Sequence, residues 1–222
     1  MYLRSEDLKG LFQTEGAFYE LIVSGRLHIC RSVAKISRRG VATTVADALF
    51  VLVNPGSCAP SDDTEVLTTN PESIADLPFV QAKSDETQRQ VMRLMDRMKW
   101  NMTYIINLSD LRVGNIEGFR HVLHYMDVNE YDAHSIFTPH RLGEIDRLLS
   151  PDTKIIAGWG VSPLIKQRAF EALTVLTEKG TLNGHRHETE PFYYHPYQYG
   201  KTKSKAWVDA VAEELGEGVY QR

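Results

Sequence analysis

Cysteine is scarce in this chain: Cys30 and Cys58 are the two thiols among 222 residues. Two cysteines cannot build a disulfide framework, and these are not spaced as metal ligands. A reducing, cytoplasmic compartment is the expectation that follows. No apolar run approaches the ~18 residues of a membrane span, so a membrane partner is not expected. Met1 to Gly10 alternate charge and apolarity and hold no signal-type hydrophobic stretch. Internal repeats, low-complexity tracts and Gly/Ser linkers are lacking as well, which excludes collagen-like, coiled-coil and wholly disordered readings.

What is there suits an ordinary globular protein. A 42% hydrophobic share over 222 residues is enough to bury a core without staples, and the length fits one domain over residues 1–222. The net charge of −4 argues against a wholly basic surface, but the charge is unevenly placed. Arg26, Arg31, Lys35, Arg38 and Arg39 follow one another without an acid, and Lys201, Lys203 and Lys205 form a second basic stretch. Acids gather instead between Ser61 and Glu86, among them Asp62, Asp63 and Asp85. Basic stretches on an acidic chain suit a polyanion-binding face, or else a plain solvated surface.

Apolar spacing orders the chain. Leu8, Leu11, Phe12, Phe18, Leu21 and Ile22 predict a helix or helix pair over 5–23, making residues 1–25 a helical N-terminal extension. Leu27 and Ile29 predict a short edge strand. Continuous apolar runs predict buried strands at 48–53, 102–106 and 153–157, with a short fourth at 192–194. Ser84 is placed to cap a helix with Asp85 and Glu86 in its first turn, and Ser162-Pro163 to start another that Gly180 ends. A last helix carries Trp207, Val211 and Leu215. Strands alternating with helices predict an α/β fold: a three-layer α/β/α sandwich on a central, mostly parallel four-stranded sheet. Ligands of such sheets bind beyond the carboxyl ends of the strands, where this chain has Asn54, Asn107, Trp159 and His195.

Several familiar motifs fail. Gly200-Lys201-Thr202 lacks the upstream glycine of a phosphate-binding loop, the histidines lack zinc spacing, and no GxSxG elbow exists. At the strand ends, Leu52-Val53-Asn54-Pro55-Gly56 resembles the first catalytic motif of the mismatch-specific branch of the uracil-DNA glycosylase superfamily. Thr103-Tyr104-Ile105-Ile106-Asn107 resembles that superfamily's second strand, and His195-Pro196 the opening of its last motif. Residues 26–210 are also similar to a bacterial family of uncharacterised proteins. Its marks are an Asn-Pro-Ser/Gly motif, an Asp-x-Thr helix start (Asp85-Glu86-Thr87), Asn107-Leu108, Gly158-Trp159-Gly160 and a late His-Pro.

The resemblance implies a monofunctional DNA glycosylase that flips out a non-standard pyrimidine, hydrolyses its glycosidic bond and leaves an abasic site. The base would be uracil-like, mismatched, or a modified cytosine of the phage type, in repair or in defence. No metal or nucleotide cofactor is called for, and a monomer acting on duplex or locally single-stranded DNA is expected. Asn54, His195 and Asp85 are the expected catalytic residues. Asn54 orients a water, His195 stabilises the charge on the departing base, and Asp85 is among the carboxylates available as base. Pro55, Gly56, Asn107, Trp159 and Asp62 are expected to bind the substrate, Asn107 through the donor and acceptor of its amide. Tyr197, Tyr199, Lys201, Lys203, Lys205, Arg38 and Arg39 are expected to hold DNA by wedging rings and contacting phosphates. The alternative is a module of the same fold that binds nucleic acid or nucleotide without catalysis. For single residues, an Asn-Pro-Gly turn, a core Trp159 and a structural His195 remain open.

Overall fold

The computed structural model describes residues 2–61, 67–68 and 71–216. Its class is α/β, with six α-helices and a mixed sheet. The N-terminal region departs from the helical expectation. Only Ser5–Leu11 (α1) is helical, and the chain continues directly into Phe12–Val23 (β1). A two-residue turn, Ser24-Gly25, with φ of 46° and 78°, returns it as Arg26–Arg38 (β2). Positive φ at both turn residues matches the twist of a hairpin. The apolar positions of β1 imitate helical spacing because both faces of the strand are covered and its pairing is irregular beside Ala17.

Beyond the hairpin come Ala48–Leu52 (β3), Ala59–Pro60 (β4), Leu67–Thr68 (β5) and Val80–Lys83 (β6). Glu86–Met98 (α2), Met102–Asn107 (β7), Ile116–Val128 (α3) and Leu142–Asp146 (α4) follow. Lys154–Ala157 (β8), Lys166–Lys179 (α5), Leu182–Asn183 (β9) and Lys201–Glu214 (α6) complete the order. The expected four-stranded, mostly parallel sheet is not what forms. The described residues make a nine-stranded sheet in the order β4-β6-β1-β2-β7-β3-β8-β9, with β5 beside β1, and most of its paired length is antiparallel. Strand β3 does lie parallel between β7 and β8, and β9 extends that side. Residues 192–194 form no strand, and Tyr193 makes only isolated bridges to Gly160 and Arg186.

Helices cover both faces, which is why β3 is buried at every position. Leu49 and Val51 join one core with Phe119, Leu123, Ala172 and Leu176 from α3 and α5. Ala48, Phe50 and Leu52 join the other with Leu8, Val91, Leu94, Trp207 and Val211 from α1, α2 and α6. Among the described residues no helix is long and apolar enough to cross a membrane.

A buried polar network holds the segment that follows β7. Asp110, fully buried, accepts from Arg141 at 2.7 Å and from the Tyr19 hydroxyl at 2.8 Å. Arg141 also pairs with Glu144 at 2.7 Å and donates to the Ala133 carbonyl. Removing Arg141 would leave Asp110 buried without its counter-charge. Arg141→Ala should therefore cost about 3–5 kcal/mol in chemical denaturation.

His134 lies in the same network, its Nδ1 2.9 Å from Ser109 Oγ. Burial drives its imidazole from the usual 6.5 down to about 3. His28, His185 and His195 shift in the same direction, each chiefly through burial. An unfolded chain takes up these protons as the pH falls through 6.5, whereas folded His134 resists until about 3. Stability should therefore fall with pH across that window, by up to ~1.4 kcal/mol per unit for each proton. Denaturation at pH 7 and pH 5 should show the loss, with a shallower slope in His134→Gln.

Candidate active site

The carboxyl ends of β3 and β8 open into a cavity of about 320 Å³. Asn54, Pro55 and Gly56 line it, together with Asp85, Trp159, His195 and Tyr197. Sequence positions from 54 to 197 thus meet in one space at the low end of the ~300–1,000 Å³ usual for ligand sites.

Each group is held by backbone. Asn54 Nδ2 donates to the carbonyls of Val113 (2.7 Å) and Leu111 (3.3 Å), in the segment anchored by Asp110. Both amide hydrogens are thereby used, and Oδ1 accepts nothing from the described residues. Asp85 is the N-cap of α2, one residue later than Ser84, where the sequence placed it. Its Oδ1 accepts from Gln88 N at 3.0 Å, and Gln88 reaches back to Asp85 N at 3.1 Å. The other carboxylate oxygen lies beside Gly56, where a Cβ would come within 3.0 Å of it.

His195 sits on a segment knitted to its neighbours. Gly160 N donates to Tyr193 O at 2.8 Å, and Trp207 Nε1 to Tyr194 O at 2.9 Å. His195 Nδ1 is 2.9 Å from the Tyr197 carbonyl and 3.2 Å from its amide, so backbone claims Nδ1 in either tautomer. Nε2 is left without a partner among the described residues. Burial lowers the pKa of His195, while the Tyr197 carbonyl and the Asp85 carboxylate work against that shift. Trp159 is a cavity wall and a core residue at once. It is 1% exposed, packs edge-on to Tyr193 and donates to Pro191 O at 2.9 Å.

Other expected residues fall elsewhere. Asn107 is fully buried and does not line the cavity. Its surroundings require the amide orientation in which Nδ2 donates to Asn54 O (3.1 Å) and Oδ1 accepts from Arg31 Nη2 (3.2 Å), so it supports the site from behind. Arg38 and Arg39 lie at the far end of β2, beside the start of β7. Arg38 pairs with Asp96 at 3.3 Å and covers the Phe12 ring, and Arg39 donates to the Lys9 and Phe12 carbonyls. Of the other basic residues of the stretch, Arg26 stacks on Tyr125, Lys35 pairs with Glu15 and Arg31 is buried. That stretch is not a free polyanion face. Tyr197 stands at the cavity, Tyr199 is 96% exposed, and Lys201, Lys203 and Lys205 are exposed along the first turns of α6. Asp62 lies outside the described residues.

The sequence reading counted Arg31 only within a basic stretch and did not include Asn115. Arg31 forms part of the cavity wall although it is 2% exposed. Asn115 caps α3 by accepting from Gly118 N at 2.8 Å, so the N-termini of α2 and α3 both face the cavity. A scan against family models, a search of curated proteins and a search of solved structures each find no match to this chain.

Gly56 has φ +62° at the closest approach to Asp85. A side chain there is strained and also crowds the carboxylate. Gly56→Ala should lower stability by about 1–2 kcal/mol in denaturation and should disturb ligand binding more than Gly25→Ala, whose site is open.

Proposed function

We propose that the chain is a monofunctional DNA glycosylase acting on a non-standard pyrimidine, built on a three-layer arrangement of the uracil-DNA glycosylase kind. The observation that carries the reading is the convergence of Asn54, Asp85 and His195 on one small cavity at the strand ends. The resemblance of their motifs gives that convergence its chemistry.

Hydrolysis of the glycosidic bond passes through a sugar with oxocarbenium character. The bond's electron pair leaves with the base, and water adds to C1′ as it loses a proton. An amide cannot abstract that proton near neutral pH, but one whose hydrogens are both tied to carbonyls offers a fixed acceptor. Asn54 Oδ1 would orient the water. The uncapped oxygen of Asp85 would accept the water's proton and offset the positive charge on the sugar. Burial favours the neutral imidazole of His195. In the tautomer whose Nδ1 accepts from Tyr197 N (3.2 Å) rather than donating to Tyr197 O (2.9 Å), its Nε2 would carry the hydrogen and donate to the departing base.

The features that favour a DNA partner are Tyr197 at the cavity and the exposed lysines of α6, of which Lys205 also pairs with Asp209. Tyr197 would fill the gap left by an extruded base, and the lysines would meet phosphates. The test is an abasic-site assay on duplex and single-stranded DNA containing uracil, mismatches or phage-type modified cytosines. Alkali-labile sites should appear on one class of substrate and fall at least ~100-fold in Asn54→Ala, as expected for loss of a positioning group, while DNA affinity is retained. Full activity in that variant, or no base released from any substrate, would overturn the reading.

A further inference from the structure

Among the described residues, Arg31 is a charge without a counter-charge. It stands on β2 opposite Phe18, at a break in pairing: Ala17 faces Val33, but the next residue of β1 faces Arg31, so Ser32 is an extra residue. Such a bulge re-aims the side chains next to it. Cys30 and Val33, three positions apart, accordingly pack into the same core. Gly16 leaves room for the redirected side chain, since a Cβ there would lie 2.6 Å from the Phe18 ring and 3.3 Å from Arg31 Cδ.

The guanidinium is charged at any ordinary pH and has five donors to satisfy. Nη2 reaches Asn107 Oδ1 at 3.2 Å. Nε and Nη1 are sealed from solvent and find no acceptor among the described residues. Nor does any described carboxylate lie within ion-pair distance of Arg31. The other buried arginine, Arg141, has both Asp110 and Glu144. A lone buried cation is destabilising unless something brought to it supplies oxygen. The wall it occupies is shared with the N-caps of two 13-residue helices, whose dipoles also favour negative charge in this cavity.

We propose that Arg31 is a specificity-determining residue, the centre of a subsite that takes an acceptor oxygen of the ligand. The oxygen is a carbonyl of the bound base or an oxygen of a phosphate, and a base presenting an amino group to Arg31 is disfavoured because two donors then meet. This rests on the glycosylase reading for the identity of the ligand, but not for the existence of the subsite. For a departing base, the same guanidinium would hold the oxygen on which negative charge gathers.

Calorimetric titration of the full chain with uracil, cytosine and inorganic phosphate tests it, using the wild type, Arg31→Met and Arg31→Lys. Wild type should bind uracil at least tenfold more tightly than cytosine. Arg31→Met should lose that preference and most of the uracil affinity while melting near the wild-type temperature, and Arg31→Lys should keep part of both. Phosphate binding that Arg31→Met abolishes, without uracil binding, also supports the subsite and assigns its oxygen to phosphate. The proposal is overturned if the wild type binds neither probe, if Arg31→Met binds them undiminished, or if both variants melt far below the wild type, which would make Arg31 a structural residue. The two readings fail separately. A chain that releases no base yet binds uracil through Arg31 keeps the subsite and loses the glycosylase. Base release unaffected by Arg31→Met does the reverse.

Discussion

The site depends on one amide held between two carbonyls. Asn54 ends β3, and its Nδ2 is tied to Leu111 and Val113 in the segment that follows β7. That segment is fixed in turn by Asp110, whose charge Arg141 neutralises inside the protein. Without the buried pair the carbonyls lose their anchor, and without the carbonyls the amide is free to rotate. An ion pair of this kind adds little net stability, since desolvation offsets much of the attraction. Its contribution here is a single geometry for the loop that meets the cavity.

A similar economy governs the opposite wall. His195 is held by Tyr197 backbone, by the Gly160–Tyr193 bond and by the Trp207 indole on Tyr194. Asp85 is held by the cap it forms on α2. In each case backbone takes one end of the polar group and leaves the other to the cavity. Main-chain anchors of this sort tolerate changes in nearby side chains better than a network of side chains alone.

The sequence made the parallel side of the sheet legible, because strands covered on both faces read as unbroken apolar runs that stop at a polar residue. Asn54 and Trp159 could be placed at the rim of a pocket on that basis; His195 lines it too, although the strand expected before it does not form. Local caps were partly legible: Ser162 Oγ accepts from Leu164 N at 3.4 Å, but it caps the short 3-10 turn Pro163–Ile165 that leads into α5 rather than α5 itself. The hairpin was not, since a bulge and two covered faces erase the alternation that marks a strand. Asn107 followed the same strand-end rule as Asn54, but nothing local distinguishes an amide that faces a cavity from one that supports it. The inward turn of Arg31 has no local signal either, because a basic residue in a basic stretch looks like surface until its register is known. The Ser24-Gly25 turn was the available cue to that register.

The bulge at Ser32 has a consequence for how such a protein can change. Side chains of a strand alternate between its faces, so one extra residue inverts every assignment on one side of it. Arg31 reaches the cavity side, and Cys30 the opposite core, by virtue of that single insertion. Ser32 is the residue the bulge absorbs, so losing it would even out the pairing and leave Arg31 opposite Phe18 and Val33 opposite Ala17, without altering Asn54, Asp85 or His195. The bulge is therefore a place where β2 can change its length by one residue while Arg31 stays on the cavity side, and Asn54, Asp85 and His195, carried by other parts of the chain, stay where they are.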